Sequence, residues 1–361
     1  MIPIINSKRQ YETIAEEAEK AVVEVMRSGS YILGANCKAF EAEIAEFIGA
    51  KHAIALNSGT DALHLALRAL DIGKGDEVIT TAFTFVATTE SIEIVGATPV
   101  FVDIDPDSFN INVQKIEAAI TPKTKAIMPV HLYGQPCDMD AIMDVAHRHN
   151  LVVIEDCCQA IGAKYKGQSV GTFGEISAFS FYPTKNLGCM GDGGLATTNS
   201  DFLKDRLVAL RNHGGAIRYH HDEVGINSRL DEIQAAILDV KLPYLDSDNA
   251  RRREIAKYYR ENIKNQKIVL PQTYDEKAHV WHVFVVRTGN RDVLQKHLED
   301  NGIQTNIHYP TAPHKQECYS EYCSLNLPVT EKIHGEVISL PISPVMTDEE
   351  IRKVVEVVNG Y

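Results

Sequence analysis

The residues of this chain best suited to chemistry lie in one segment, Phe179-Ser180-Phe181-Tyr182-Pro183-Thr184-Lys185-Asn186-Leu187-Gly188, followed by Gly191-Asp192-Gly193-Gly194. A strand-like run stops at Pro183, which has no N–H for a ladder, and leaves Lys185 in a glycine-rich turn near the Ser180 hydroxyl. An amine held in a partly dry loop loses ammonium solvation, so its pKa falls and it becomes a candidate Schiff-base nucleophile. Most loop lysines are only exposed lysines, so this reading needs partners elsewhere in the chain.

The second segment, Val152-Val153-Ile154-Glu155-Asp156-Cys157-Cys158-Gln159, reads as a buried strand ending in two carboxylates. An Asp at the carboxyl end of a parallel strand is placed to hold a protonated ring nitrogen, the arrangement that makes pyridoxal phosphate an electron sink; a helix cap or an ion pair is the plainer alternative. A third, Asn57-Ser58-Gly59-Thr60-Asp61, enters an amphipathic helix, whose free N–H groups and dipole suit a phosphate, although ordinary capping by Ser58 or Thr60 uses the same residues. In a fourth, Phe83 and Phe85 follow the strand at 77–80, and one of them could stack on a planar ring rather than on the core.

Other features resolve to ordinary structure. Asp103, Asp105 and Asp107 mimic the start of a calcium loop, but Ser108 stands where the sharp-turn glycine belongs and Gln114 where the bidentate glutamate belongs. His220 and His221 are adjacent, so they cannot face one metal as an i, i+4 pair does, and neither HExxH nor GxxxxGK[ST] occurs. No GxGxxG precedes a helix. The seven cysteines are an odd set with no CxxC pair, as expected of reduced thiols. No metal site is expected.

The elements that must position these residues follow a βαβ rhythm. Short β-branched runs at 77–80, 99–102, 126–130 and 152–155 alternate with helical patterns at 61–70 and 139–148, which predicts an α/β fold on a largely parallel sheet. Ligands in such sheets sit beyond the carboxyl ends of the strands. After a long helical stretch at 230–245 the composition turns charged, and a boundary is expected there, giving a large cofactor-binding domain at 1–246 and a small C-terminal α/β domain at 247–361. In the small domain the pattern predicts a strand at 280–287, a helix at 291–301, a strand at 305–308 and two helices at 330–338 and 347–358, the last opened by a Thr347/Glu350 capping box.

Composition excludes several function classes. Lys+Arg 36 against Asp+Glu 49 leaves a net charge of −13 over 361 residues, which repels phosphodiester backbones, and no basic run exceeds the short Arg251-Arg252-Arg253. No nucleic-acid partner is expected. No 18-residue apolar stretch occurs, and residues 1–10 lack a basic region followed by an apolar core, so no membrane association and a cytoplasmic location are expected.

Taken together and in order, these segments resemble the DegT/StrS family of nucleotide-sugar aminotransferases, fold-type I enzymes that use pyridoxal 5'-phosphate. The likeness runs through essentially the whole chain and includes Val130-His131-Leu132-Tyr133-Gly134-Gln135, the run from Gly225-Ile226-Asn227-Ser228-Arg229 to Gln234-Ala235-Ala236, and Ile307-His308-Tyr309-Pro310. It implies a mostly parallel seven-stranded sheet flanked by helices, with Lys185 as the Schiff-base lysine, Asp156 on the pyridine nitrogen and Gln159 by the phenolic oxygen. It further assigns Phe85 to the ring face, Gly59, Thr60 and Ser180 to the phosphate, and Asn227 to the same phosphate from a second subunit, hence a homodimer with shared sites. Arg229, His308 and Tyr309 are the implied substrate contacts. Lys185 stands where the family's dehydratase branch has a histidine, so transamination from glutamate, released as 2-oxoglutarate, is chemically open.

The His308-Tyr309-Pro310 and Arg218-Tyr219-His220-His221 stretches look most like members that aminate C3 of a UDP- or dTDP-linked 3-keto sugar for cell-surface polysaccharide, lipopolysaccharide or deoxyaminosugar synthesis. Amination at C4 and a cofactor-bound homologue without turnover are the alternatives. Ile161 replaces a histidine frequent after the Gln-Ala pair, and Cys157-Cys158 replace the Ala-Ala of many relatives, a near-isosteric change.

Overall fold

The structure is a computed structural model that describes residues 1–215, 217 and 219–361. Its centre is a seven-stranded sheet in the order His52–Leu56, Gly194–Thr198, Ile176–Ser180, Val152–Asp156, Thr124–Ile127, Glu77–Thr81, Thr98–Val102. Gly194–Thr198 runs antiparallel to both neighbours, and every other pairing is parallel. The fold class is therefore as expected, an α/β architecture on a mostly parallel sheet.

Both faces of the sheet are covered, so its strands are apolar throughout. Alternation sends Ala53 and Ala55 of the first strand into one core cluster with Phe40, Phe179 and Leu238, and Ile54 and Leu56 into another with Leu63, Leu67 and Leu207. The helix Gly59–Ala69 contributes Ala62, Leu63, Leu65 and Ala66 to that second cluster. Met139–His149 starts at the Asp138 cap, whose side chain accepts from Ala141 N, and stops at Asn150, which takes the left-handed conformation at φ 52°.

The predicted helix at 230–245 is broken. Glu232–Lys241 gives way to a tight turn, Leu242–Tyr244, because Pro243 has no N–H to continue the ladder, and a new helix, Leu245–Asn262, follows. The position between 246 and 247 falls in the first turn of that helix. Leu245 packs with the large-sheet cluster, whereas Ile255, Ala256 and Tyr259 pack in a separate core with Phe284, Ile338, Leu340 and Val354. The chain's first residues join this second core, with Ile2 packed against it and bridged to Ile303.

The C-terminal unit departs from the sequence reading at three points. Residues 337–338 do not end a helix: the helix is Pro328–Glu336, and Val337–Leu340 forms a buried strand antiparallel to Phe284–Arg287. Residues 305–308 form no strand but a single bridge, Asn306 to Ser339. The first part of 280–287 leaves the small sheet, because Val280 N and His282 N donate to the carbonyls of Gly134 and Tyr133. The final helix, Asp348–Asn359, carries the expected capping box between Thr347 and Glu350. Among the described residues, no helix is long and apolar enough to cross a membrane.

Candidate active site

The sheet delivers its carboxyl ends to one place. Val152–Asp156 ends in Asp156, which is 4% exposed, and its carboxylate accepts from Thr88 Oγ1 at 2.8 Å and from the Cys158 backbone N–H at 3.1 Å. Each oxygen thus has one donor, leaving lone pairs for a further donor. Glu155, one residue earlier, points to the opposite face as strand pleating demands. There it is fully buried and accepts from Gly171, Phe173 and Gly174 N–H groups, Ser177 Oγ and His131 Nε2.

Burial would raise the Glu155 carboxyl, but these donors hold it below the ordinary range. His131, Glu155 and Cys157 place potential ligand atoms within 4.8 Å of one another. However, His131 Nδ1 already accepts from Cys137 N, and the remaining nitrogen serves Glu155. The group works as a clamp on the strand end.

Lys185 lies in the turn after Ile176–Ser180, its N–H bonded to Tyr182 O at 2.8 Å. Burial pulls its ammonium below the usual lysine range, opposed by Cys158 and Asp156. The Cys158 thiol is pushed well up, by burial and then by Asp156, so it stays protonated beside the amine.

The helix Gly59–Ala69 begins next to this pair. Ser58 caps Asp61 N at 3.1 Å, and Ala62 is the first residue bonded within the helix, which leaves the N–H groups of Gly59 and Thr60 unpaired. A Cβ on Gly59 would come within 2.8 Å of Ser180 Cβ and 2.9 Å of Cys158 Sγ, so glycine alone permits this approach. Ser180 Oγ accepts from Tyr182 N at 3.3 Å, which frees its hydrogen.

Opposite stand Gln159 and the 307–310 segment. Gln159 accepts from Tyr133 N at 2.8 Å, which fixes its amide orientation, and donates Nε2 to the Tyr309 hydroxyl at 3.0 Å. Burial raises the Tyr309 phenol well above its ordinary value. Phe85 is 50% exposed, with its ring centroid 5.6 Å from that of Tyr309. His308 accepts from Asn306 Nδ2 on Nε2 and bonds Ser339 Oγ through Nδ1; burial and then nearby Lys185 lower it to about 4. It is a neutral imidazole at pH 7.

One chain therefore gathers Lys185, Asp156, Gln159, Ser180, Gly59, Thr60, Phe85, His308 and Tyr309 near the carboxyl ends of the parallel strands. It does not gather all the expected residues. Asn227 is exposed and bridged to Asn212, and Arg229 donates to Asn212 Oδ1 at 3.0 Å while its buried Nε has no partner. Among the described residues, no hydrogen bond, ion pair or ring contact joins either of them to Lys185 or Asp156. Arg218 lies outside the described residues. Thr88, Tyr133 and Cys158 were missed by sequence reasoning. Only the carboxylate requirement of Asp156 could have pointed to a buried hydroxyl such as Thr88.

The residues fit a phosphorylated pyridine aldehyde. The glycine cradle at Gly59 and the free N–H groups beside it suit a phosphate, the doubly supported Asp156 carboxylate suits a ring N–H, and the desolvated Lys185 suits the aldehyde. Fold and site together define a fold-type I aminotransferase.

The comparisons with known proteins agree. The sequence model of the DegT/DnrJ/EryC1/StrS aminotransferase family matches residues 12–359, and the chain belongs to that family. It is a pyridoxal-phosphate-dependent aminotransferase. It is 53% identical over 361 residues to a dTDP-3-amino-3,6-dideoxy-alpha-D-galactopyranose transaminase of Aneurinibacillus thermoaerophilus, covering 100% of this chain and 99% of that protein. It is 49% identical over 360 residues to a pleiotropic regulatory protein of Geobacillus stearothermophilus, covering 98% and 97%. Among solved structures, Streptomyces venezuelae DesV in complex with a ketimine intermediate superposes with a TM-score of 0.97 at 44% identity, covering 99% of this chain and 98% of that one.

Proposed function

We propose that this chain transfers the amino group of glutamate to C3 of a nucleotide-linked 3-keto sugar, working as a cytoplasmic homodimer. The observation that carries the reading is the desolvated Lys185 amine beside the supported Asp156 carboxylate, next to the tight glycine approach at the helix start. The name of the 53%-identical relative supports a dTDP-linked 3-amino-6-deoxy product. The free state of all seven cysteines supports a reducing compartment.

When bound, the cofactor supplies an aldehyde carbon that takes up the amino group and a cationic ring that accepts the electron pair left on deprotonation. Lys185 Nζ, whose proton affinity burial lowers, would carry the proton between the amino-bearing carbon of the substrate and the carbon that was the cofactor's aldehyde. Asp156 holds its carboxylate toward the ring nitrogen, positioned by Thr88 and the Cys158 N–H. Gly59, Thr60 and Ser180 would hold the phosphate, with Asn227 of a second copy as a further donor. Phe85 would pack on the ring, Gln159 would hold its phenolic oxygen, and Tyr309 and His308 would contact the sugar. Because His308 is neutral, cationic help for the sugar's diphosphate falls to Arg229 across the dimer interface.

The second reading, a cofactor-bound regulatory homologue, takes its regulatory part from the name of the 49%-identical relative. The test is incubation of purified protein with glutamate and a panel of dTDP- and UDP-linked 3-keto and 4-keto sugars. Release of 2-oxoglutarate with a 3-keto sugar supports the proposal; amination of 4-keto sugars only, or no release with any member, overturns it.

A further inference from the structure

Behind Lys185 lies a buried polar chain that the reaction as described does not use. Asn186, the next residue, is 5% exposed and donates Nδ2 to Asn249 Oδ1 at 2.7 Å and to the Val280 carbonyl at 2.9 Å. A carbonyl only accepts, so the Asn186 amide orientation is fixed and its Oδ1 must face the other way. In the same manner Asn249 donates Nδ2 to Ile161 O at 3.2 Å, which fixes its own orientation. The partner of Asn186 Oδ1 is His282 Nδ1 at 3.3 Å. That nitrogen must therefore carry the hydrogen, and Nε2 is a bare acceptor.

We propose that His282 is a positioning residue for Lys185, gripping the Asn186 side chain through Nδ1–H and so fixing the backbone from which the lysine amine projects.

Four further observations support this. His282 is itself anchored, because its N–H donates to Tyr133 O at 2.9 Å and its carbonyl accepts from the buried Arg252 at 3.3 Å. The close approach that permits this depends on Gly134, at φ +95°, where a Cβ would come within 2.7 Å of Val280 Cγ2 and 3.3 Å of His282 N. Burial first, and then Lys185 and Arg252, keep the imidazole well below its ordinary pKa, so it grips without adding a charge next to the lysine. Asn186 ties the lysine turn simultaneously to the helix Leu245–Asn262, through Asn249, and to the segment leading into Phe284–Arg287.

The inference rests on the Schiff-base reading of Lys185. It is tested on the cofactor-loaded protein with His282→Phe, His282→Gln, Asn186→Ala and the double variant His282→Phe/Asn186→Ala. The readouts are the apparent pKa of the visible lysine–cofactor absorbance band and the rate of the glutamate half-reaction. The expected result is a band pKa displaced by about half a unit or more and a rate lowered roughly tenfold in His282→Phe. Asn186→Ala should match it, the double variant should be no worse than either single one, and Gln, a neutral donor, should recover most of both. A His282→Phe protein with wild-type band and rate, or effects of the two single changes that simply add, overturns the proposal. If His282→Phe does not fold, Asn186→Ala and His282→Gln decide it: a wild-type band pKa and rate in Asn186→Ala, or a rate lost in His282→Gln, overturns it. A wild-type protein with no such band at all refutes instead the reading of Lys185.

Discussion

Thr88 Oγ1 donates to Asp156 Oδ2 at 2.8 Å, and Thr84 Oγ1 stands 2.7 Å behind Thr88. The Asp156 carboxylate is thus held from two sides, by the Cys158 N–H just past its own strand and by the helix Ala87–Ile94, which follows Glu77–Thr81, the strand two positions away in the sheet. Thr88→Val keeps the volume, removes one support and strands the Thr84 hydroxyl. A net hydrogen bond of this kind is worth about 1 kcal/mol, so cofactor affinity should fall about five- to tenfold, with a comparable loss of stability. Equilibrium dialysis followed at the cofactor absorbance, beside a urea titration, checks both.

Buried histidines make stability depend on pH. His279, 4% exposed and stacked on Trp281 at 3.8 Å, is lowered to about 3 by burial and then by Arg260. Its folded pKa lies below its unfolded value, so the unfolded chain takes up a proton first and folding stability falls as pH drops from about 6.5 toward 3. Between pH 7.5 and 5 this group alone accounts for on the order of 2 kcal/mol. His279→Gln loses stacking at every pH, but its urea midpoints should decline less between pH 7.5 and 5 than those of wild type.

The proposal of a site shared between two copies can be tested by complementation. Lys185→Ala and Asn227→Ala should each be impaired as homodimers, because every site then lacks one group. In a mixed dimer one of the two sites receives Lys185 from one copy and Asn227 from the other. After equal mixing with subunit exchange, transaminase activity should return to roughly a quarter of wild type. Activity equal to the mean of the two parent proteins would place Asn227 outside a shared site.

Sequence legibility followed physical locality. Lys185, Asp156 and Gly59 were readable because each sits where an element ends, and Pro183, the strand at 152–155 and the Ser58 cap mark those ends in the chain itself. Thr88, Tyr133 and His282 were not, because their roles come from contacts across the fold: 68 residues separate Thr88 from Asp156, and 26 separate Tyr133 from Gln159. Val337 and Ile338, which open the strand Val337–Leu340, read as the end of a helix since the pairing with Phe284–Arg287 is invisible locally. Their β-branching was the signal available.

The most direct test of the account is reduction of the purified, cofactor-loaded protein with borohydride, followed by proteolysis and peptide mass measurement. The cofactor should be fixed on the peptide carrying Lys185, in near one-to-one yield, and should be absent from the same peptide of Lys185→Ala. A pyridoxyl group fixed on another lysine, with position 185 unmodified in the wild-type protein, would contradict the account.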